Sequence, residues 1–339
     1  MSDFAGGTGI GSWPGTSARE AAEIVVGELH TLPHLPELPA RGIGADLVGR
    51  AGALLVDIAI DIVPRGYRIA AGRSAVTRRA VSLLAEDIDA LEEAWEKAGL
   101  RGAADRTVKV QAPGPITLAA QVELSNGHRA ITDAGAVRDL ARSLAEGVAA
   151  HRAEVARRLE CPVVVQFDEP LLTAALEGRL SGVTGLSAVH PVDEAVAAAL
   201  LDDCVEVVGG AVALHSCASG LPWPLLQRSA FSALSFDLST LTADSLDGVG
   251  EFIESGRTLL LGVVPVTAPQ RRPSDEEVAR SVVELTDRLG FPRDVLPDRI
   301  GVTPACGLAG ATAQWARNAM ELTQKAADAI ADDPAAILK

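Results

Sequence analysis

Short apolar runs alternate with longer amphipathic segments through most of the 339 residues of the chain. The apolar runs predict eight β-strands, and helical periodicity follows most of them. Such alternation is typical of a parallel sheet covered by helices, and eight repeats are the number found in a (β/α)8 TIM barrel. No linker-like change of composition divides the chain. We therefore predict one barrel domain over residues 1–339, with strands near positions 9, 60, 109, 165, 213, 235, 261 and 301.

The helical segments between these strands have recognisable ends. Ser17 is placed to cap the first helix, and Gly114-Pro115 is a typical helix start with proline early. A proline-rich stretch at 32–39 predicts a loop. The other helices are predicted near 45–57, 75–98, 134–159, 192–201, 243–255, 274–289 and 311–331.

Charge and cysteine content limit the possible partners and compartment. The formal net charge of −15 argues against nucleic acid and against anionic membrane surfaces as partners. No apolar run approaches the roughly 20 residues that a membrane-spanning helix needs. The start of the sequence, Met-Ser-Asp-Phe, lacks the basic and apolar regions of a secretory signal. Four scattered cysteines are too few for a disulfide framework, so we expect a reduced, cytoplasmic enzyme.

Two soft metal ligands follow one of the apolar runs. His215 and Cys217 come directly after residues 211–214, and the alternation of side chains along a strand puts both on one face. Cys306 follows another apolar run, beside a glycine. Imidazole and thiolate are preferred Zn²⁺ ligands, and a catalytic zinc site needs about three of them plus an open position. The set predicts a zinc site. The alternative is that His-x-Cys arises by chance and that the cysteines only fill the core.

Other polar residues also fall at predicted strand ends. Asp168 follows a buried strand at 162–167, Asp237 closes the strand at 233–237, and Ser12 lies in a glycine-rich turn after the first strand. Active sites of (β/α)8 barrels form at the carboxyl ends of the strands. We therefore expect these groups to meet the zinc ligands at one rim. For Asp168 the alternative is a cap on the next helix.

Five motifs, in this order, resemble the C-terminal catalytic barrel of cobalamin-independent methionine synthase. They are Ile-Gly-Ser-Trp-Pro at 10–14, Gly-Pro-Ile-Thr at 114–117, Gln-Phe-Asp-Glu-Pro at 166–170, His-Ser-Cys at 215–217 and Pro-Ala-Cys-Gly-Leu at 304–308. The resemblance covers essentially the whole chain. It implies a zinc-dependent methyl transfer to the thiol of homocysteine, which gives methionine.

The resemblance also implies a role for each motif residue. One set holds the amino acid substrate: Ile10, Gly11, Ser12 and Asp168. A second set holds Zn²⁺: His215, Cys217, Asp237 and Cys306. The expected catalytic residues are His215, Cys217, Cys306 and Asp168.

The sequence departs from the family pattern in several places. Asp237 stands where the family has a glutamate ligand, and Thr267 stands where it has the histidine thought to protonate the departing folate nitrogen. Residues 118–121 lack the folate-stacking tryptophan. The N-terminal half of the long enzyme has no counterpart, so the chain resembles a short core form. The departures concern mainly the parts that handle methylfolate.

These departures favour a methyl donor other than methylfolate polyglutamate. A methylated corrinoid, either methylcobalamin or a corrinoid protein, needs no proton donor when its methyl group leaves. Methyltetrahydrofolate remains the alternative donor. Three other functions stay open at this point: another zinc thiol alkyltransferase on the same barrel, a metal-free decarboxylase of the uroporphyrinogen decarboxylase type, and a non-catalytic barrel that binds zinc or an amino acid.

Overall fold

A computed structural model of the chain describes residues 2–103, 106–183 and 189–337. The strands are β1 (Ala59–Val63), β2 (Gly66–Ala70), β3 (Val108–Pro113), β4 (Val122–Glu123), β5 (Val163–Asp168), β6 (Val212–Ser216), β7 (Ala233–Asp237), β8 (Thr258–Val264) and β9 (Ile300–Pro304). The α-helices are α1 (Ala18–Glu28), α2 (Leu47–Ala51), α3 (Ala75–Lys97), α4 (Pro115–Gln121), α5 (Ala134–Leu159), α6 (Leu172–Leu176), α7 (Glu194–Val208), α8 (Trp223–Arg228), α9 (Leu246–Glu254), α10 (Asp275–Arg288), α11 (Leu296–Arg299) and α12 (Ala313–Asp332).

Six of the predicted strands form one parallel sheet, in the order β3-β5-β6-β7-β8-β9. Strands β3, β5 and β6 are buried along their whole length, because helices cover the outer face and side chains fill the inner one. Their valine- and leucine-rich sequences suit burial on both faces. The α/β class with a parallel sheet is therefore confirmed.

The predicted strand near residue 9 is an extended segment joined by isolated bridges. Gly7 pairs with Val302 of β9, and Ser12 pairs with Glu37. His34 in turn pairs with Lys109 of β3. Two short segments thus lie between β9 and β3, and the described residues there form no regular ladder. Prolines at 33 and 36 have no N–H to donate, which interrupts the pairing.

The predicted barrel strand near residue 60 is wrong. This segment is β1, which pairs antiparallel with β2 as a hairpin, and β4 joins β2 in a separate three-stranded sheet. Its alternating pattern is that of a strand with one buried and one exposed face: Ile60 is buried and Asp61 is exposed, although Ile62 near the end of the strand is also exposed. The proline-rich stretch predicted as a loop supplies the pairing with β3 instead. The described residues therefore contain a six-stranded parallel sheet rather than the eight regular strands predicted.

Most helices begin where the sequence predicts. Ser17 accepts a hydrogen bond from the Glu20 N–H at the start of α1, and Asp133 accepts one from the Ala136 N–H at the start of α5. The helix predicted at 45–57 is reduced to the five residues of α2, which contains Gly49 and has Gly52 as its C-cap. None of the helices described is long and apolar enough to cross a membrane.

Gly147 allows α5 to pack directly on the backbone of the segment between α2 and β1. A Cβ at this position would lie 1.6 Å from the Leu54 carbonyl oxygen. We expect Gly147→Ala to lower the free energy of unfolding by about 2 kcal/mol or more through overpacking. The matched control is Gly27→Ala in α1, where a Cβ meets nothing within 4 Å and helix propensity favours alanine. Chemical denaturation of both variants checks this, and equal stability would contradict it.

Candidate metal centre and substrate cavity

The structure brings three of the predicted metal ligands together. His215 is in β6, Cys217 follows the end of that strand, and Cys306 lies two residues beyond β9. One ligand atom from each side chain lies within 4.8 Å of the other two, and the two sulfur atoms are 3.0 Å apart. Donors this close can share a single ion. The grouping arises because β6 and β9, two parallel strands of one sheet, end at the same edge of that sheet.

The His215 ring is oriented as a metal ligand would need to be. Its Nδ1 is 3.0 Å from the hydroxyl of Ser235, the residue opposite it on β7. Its Nε2 is buried and has no hydrogen-bond partner among the described residues. A buried polar atom without a partner is costly unless something outside the chain satisfies it. One nitrogen held by a neighbour and one left free for an ion is the usual arrangement in metal sites.

The two thiols of the group differ in acidity because they share one proton. The Cys306 thiol donates to Cys217, and this hydrogen bond lowers the pKa of Cys217 to about 7. The same bond is the main cause that raises the pKa of Cys306 to about 12. By contrast, burial alone raises the pKa of Cys161 to about 11. One nitrogen and two sulfurs, one of them readily ionised, make a donor set that fits Zn²⁺.

A cavity of about 280 Å³ opens beside the three ligands. Its lining combines the ligands with polar groups from three other parts of the chain: Ser12, Glu37, Asp168, His215, Cys217 and Cys306. The remaining walls are apolar or glycine: Ile10, Pro39, Ala45, Leu47, Pro170 and Gly307. The structure therefore places the predicted substrate-binding residues Ile10, Ser12 and Asp168 at the ligand group.

The turn that contains Gly11 and Ser12 is packed closely on both sides. Gly11 has a φ of +155°, and a Cβ there would lie 2.8 Å from the Gln111 side chain. A Cβ at Gly307 would lie 2.0 Å from the Ser12 hydroxyl oxygen, and the Leu308 N–H donates to the Ser12 carbonyl at 2.9 Å. The turn is thereby fixed against the segment that bears Cys306.

Asp168 and Glu169 have different surroundings although they are adjacent. Asp168 ends β5 and faces the cavity, where burial raises the pKa of its carboxyl group. The Gln166 amide donates to its Oδ1 at 2.7 Å. Glu169 is fully buried and accepts from the Ile116 and Thr117 N–H groups at 2.8 Å each. The carboxylate that binds the start of α4 is therefore that of Glu169 and not that of Asp168.

Glu37 is a cavity residue that the sequence does not reveal. It is 5% exposed, and its Oε1 has no hydrogen-bond partner among the described residues. Arg50 is nearby, with Nε 3.5 Å from that oxygen. Burial is the main cause that raises the pKa of Glu37 to about 7, and the Asp168 charge adds to it. Its only signal in the sequence is that it is the sole acidic residue in the proline-rich stretch.

Asp237 is placed differently from the prediction. Its Oδ1 accepts a hydrogen bond from the Ser239 N–H at 2.8 Å and so caps its own turn. It lines a neighbouring cavity of about 500 Å³, together with Thr267 and Ala305. The structure does not bring Asp237 into the group of three ligands. As a fourth metal ligand Asp237 stays a prediction.

The fold and the site together define an α/β enzyme with a candidate metal centre at the carboxyl edge of its parallel sheet. Comparison with protein families narrows this class. The family described as "Cobalamin-independent synthase, Catalytic domain" matches residues 4–329, and the chain belongs to it. It is therefore a methyltransferase of the methionine synthase type. No protein among those with curated descriptions matches the sequence.

Solved structures share the fold over nearly the whole chain. A B12-independent methionine synthase from Shewanella sp. W3-18-1, in complex with selenomethionine, superposes with a TM-score of 0.62 at 14% identity, covering 96% of this chain and 98% of that one. A putative vitamin-B12 independent methionine synthase from Listeria monocytogenes gives a TM-score of 0.54 at 12% identity, covering 95% and 96%. At this identity the likeness shows a common fold.

Replacement of one cysteine of the group should remove the metal. We expect Cys306→Ser to lose most of its bound zinc, because a hydroxyl is a far poorer ligand than a thiolate. Cys161→Ser is the matched control, since that thiol is buried outside the group. Metal analysis of both proteins after purification with zinc checks this. Equal zinc content in the two variants would contradict it.

Proposed function

We propose that the protein transfers a methyl group to the thiol of homocysteine, with Zn²⁺ bound by His215, Cys217 and Cys306, and so forms methionine. The observation that supports this most strongly is the unpartnered, buried Nε2 of His215, which lies beside two thiols at the wall of a cavity. When bound, Zn²⁺ would supply a deprotonated and still nucleophilic substrate thiolate at neutral pH.

The cavity suits the amino acid end of the substrate. Asp168 and Glu37 are two buried carboxylates on its wall, and an ammonium group between them would relieve their mutual repulsion. The turn of Gly11 and Ser12 would bind the substrate carboxylate through its backbone amides, and the position of Ser12 on the cavity wall supports this role. The selenomethionine complex of the Shewanella protein accords with an amino acid ligand of this size. The Ser235 hydroxyl binds Nδ1 of His215 and so keeps the Nε2 of that ring directed at the two thiols.

The neighbouring cavity is the proposed approach for the methyl donor. It contains Asp237 and Thr267, and it adjoins the ligand group because Ala305 lines it while Cys306 lines the substrate cavity. None of its described lining residues is lysine, arginine or histidine, so it offers no cation to a polyglutamate tail and no imidazole to a departing nitrogen. A methylated corrinoid fits these features, because the bonding electrons remain on cobalt and no proton is required.

The choice of donor can be tested directly. We expect zinc-loaded protein with homocysteine to form methionine from methylcobalamin and to form little from methyltetrahydrofolate, either as monoglutamate or polyglutamate. Methionine is measured by mass spectrometry, with Cys306→Ser as the inactive control. Substantial turnover with methylfolate alone would overturn the donor proposal and leave homocysteine methylation standing. Zinc binding without turnover from any donor would favour a non-catalytic role.

Loss of charge at the cavity wall should weaken homocysteine binding. We expect Asp168→Asn and Glu37→Gln each to raise the KM for homocysteine about tenfold or more, because each removes a carboxylate from the ammonium. Zinc content should not change. Asp61→Asn on the exposed hairpin strand β1 is the control. Unchanged KM values in both cavity variants would refute this model of recognition.

A further inference from the structure

Lys109 is a charged residue in the interior of the sheet that the proposed chemistry leaves unexplained. It belongs to β3, its side chain is 0% exposed, and its strand neighbour in the register is Val164 of β5. Burial of an ammonium costs several kcal/mol unless its donors are well satisfied. Nothing in the packing of the strand requires a cation there, since an apolar side chain of similar length would fill the same space.

The ammonium of Lys109 has two acceptors among the described residues. It donates to the Ile10 carbonyl at 3.0 Å and, at short range, to Oε1 of Gln166. Gln166 is itself fully buried. Its Nε2 donates to the Ile10 carbonyl at 2.9 Å and to Asp168 Oδ1 at 2.7 Å. One cation is thus linked to the turn before Ser12 and to the carboxylate at the cavity wall.

The chemistry of the three groups fixes the orientation of the amide. An ammonium can only donate, so the Gln166 side chain must present its oxygen to Lys109. Its NH₂ group then points to Ile10 and Asp168, which can only accept. Ile10 and Asp168 select the NH₂ end of the amide, and the ammonium adds a partner for its oxygen, so both ends of the Gln166 side chain are held.

We propose that Lys109 is a positioning residue for substrate binding: through Gln166 and the Ile10 carbonyl it holds Asp168 and the turn at Gly11 and Ser12 in the geometry that receives the amino acid end of homocysteine. This inference rests on the proposed function. Lys109 does not line the cavity and acts only through its neighbours.

The charged groups around this network balance one another. Lys109 lies near Asp168 and Glu37, and the buried His34 is the strand-bridge partner of Lys109. Burial lowers the pKa of His34 well below its usual range, so His34 adds no charge at neutral pH. Burial lowers the pKa of Lys109 to about 7, and the Asp168 and Glu37 carboxylates oppose that shift. In its charged form Lys109 faces these two carboxylates, and it reaches Asp168 through the Gln166 amide.

The test measures homocysteine affinity in three variants. Lys109→Met removes the ammonium at similar volume, Gln166→Met removes the amide, and the double variant removes both. Lys97→Met, at an exposed position on α3, is the matched control. Calorimetry with homocysteine on zinc-loaded protein needs no methyl donor, so a failure of the donor assay leaves this test intact. Metal analysis and thermal denaturation accompany each variant.

We expect Lys109→Met to weaken homocysteine binding about tenfold or more, with zinc content unchanged and Lys97→Met like the wild type. Because the lysine acts through the glutamine, the double variant should bind about as weakly as either single variant. In the methylation assay the KM should rise while kcat at saturation stays within about twofold, and methylation of 2-mercaptoethanol, which lacks the amino acid group, should not change.

Three results would overturn the proposal. They are unchanged homocysteine affinity in Lys109→Met, additive losses in the double variant, and an equal loss of activity toward 2-mercaptoethanol. If Lys109→Met does not fold, the affinity of Gln166→Met decides the question by itself. Absence of homocysteine binding in the wild-type protein would instead refute the proposed function on which this inference rests.

Discussion

The parallel register of three neighbouring strands determines the whole site. Asp168 of β5 is opposite His215 of β6, and His215 is opposite Ser235 of β7. A carboxylate, an imidazole and the hydroxyl that orients the imidazole therefore stand side by side at one edge of the sheet. Because side chains alternate along a strand, a shift of one residue between β5 and β6 would turn His215 away from the cavity. The apolar residues that precede these three positions fix the register by being buried.

A second constraint is the balance between buried positive and negative side chains beneath the cavity. Lys109, Arg41 and Arg50 are buried cations, and Asp87, Glu37 and Asp168 are buried carboxylates; Glu169 is a further buried carboxylate, held by N–H groups at the start of α4. Arg41 and Arg50 both bind Asp87, which leaves Lys109 and part of the Arg50 charge for the two cavity carboxylates. The amino acid end of homocysteine carries one positive and one negative charge. Its entry therefore leaves the balance unchanged, whereas a simple amine or a simple acid would disturb it.

The sequence predicts those features that are encoded locally. Six strands are short, mainly apolar runs, and α5 begins and ends at the predicted residues because Asp133 caps it and apolar residues recur at helical spacing. His215, Cys217 and Cys306 are recognisable because soft ligands at strand ends are rare. The sequence does not show to which sheet β1 belongs, because its alternating pattern does not reveal that it pairs with β2. Glu37 and Lys109 belong to no motif, and only the tertiary structure shows that they face Asp168.

Adjacent residues with separate tasks explain how the site can be both rigid and open to ligands. Glu169 binds the first N–H groups of α4, and a Cβ at Gly114 would lie 2.2 Å from its Oε1, so this contact is closely packed. Glu169 thus fixes the backbone next to Asp168, whereas the Asp168 carboxylate faces the cavity. The same division occurs after β9, where Ala305 and Cys306 line different cavities. In-line transfer requires the attacking sulfur, the methyl carbon and the leaving group of the donor to lie on one line. Under the proposed function the amino acid and the methyl donor would occupy separate cavities, on either side of the segment that contains Ala305 and Cys306.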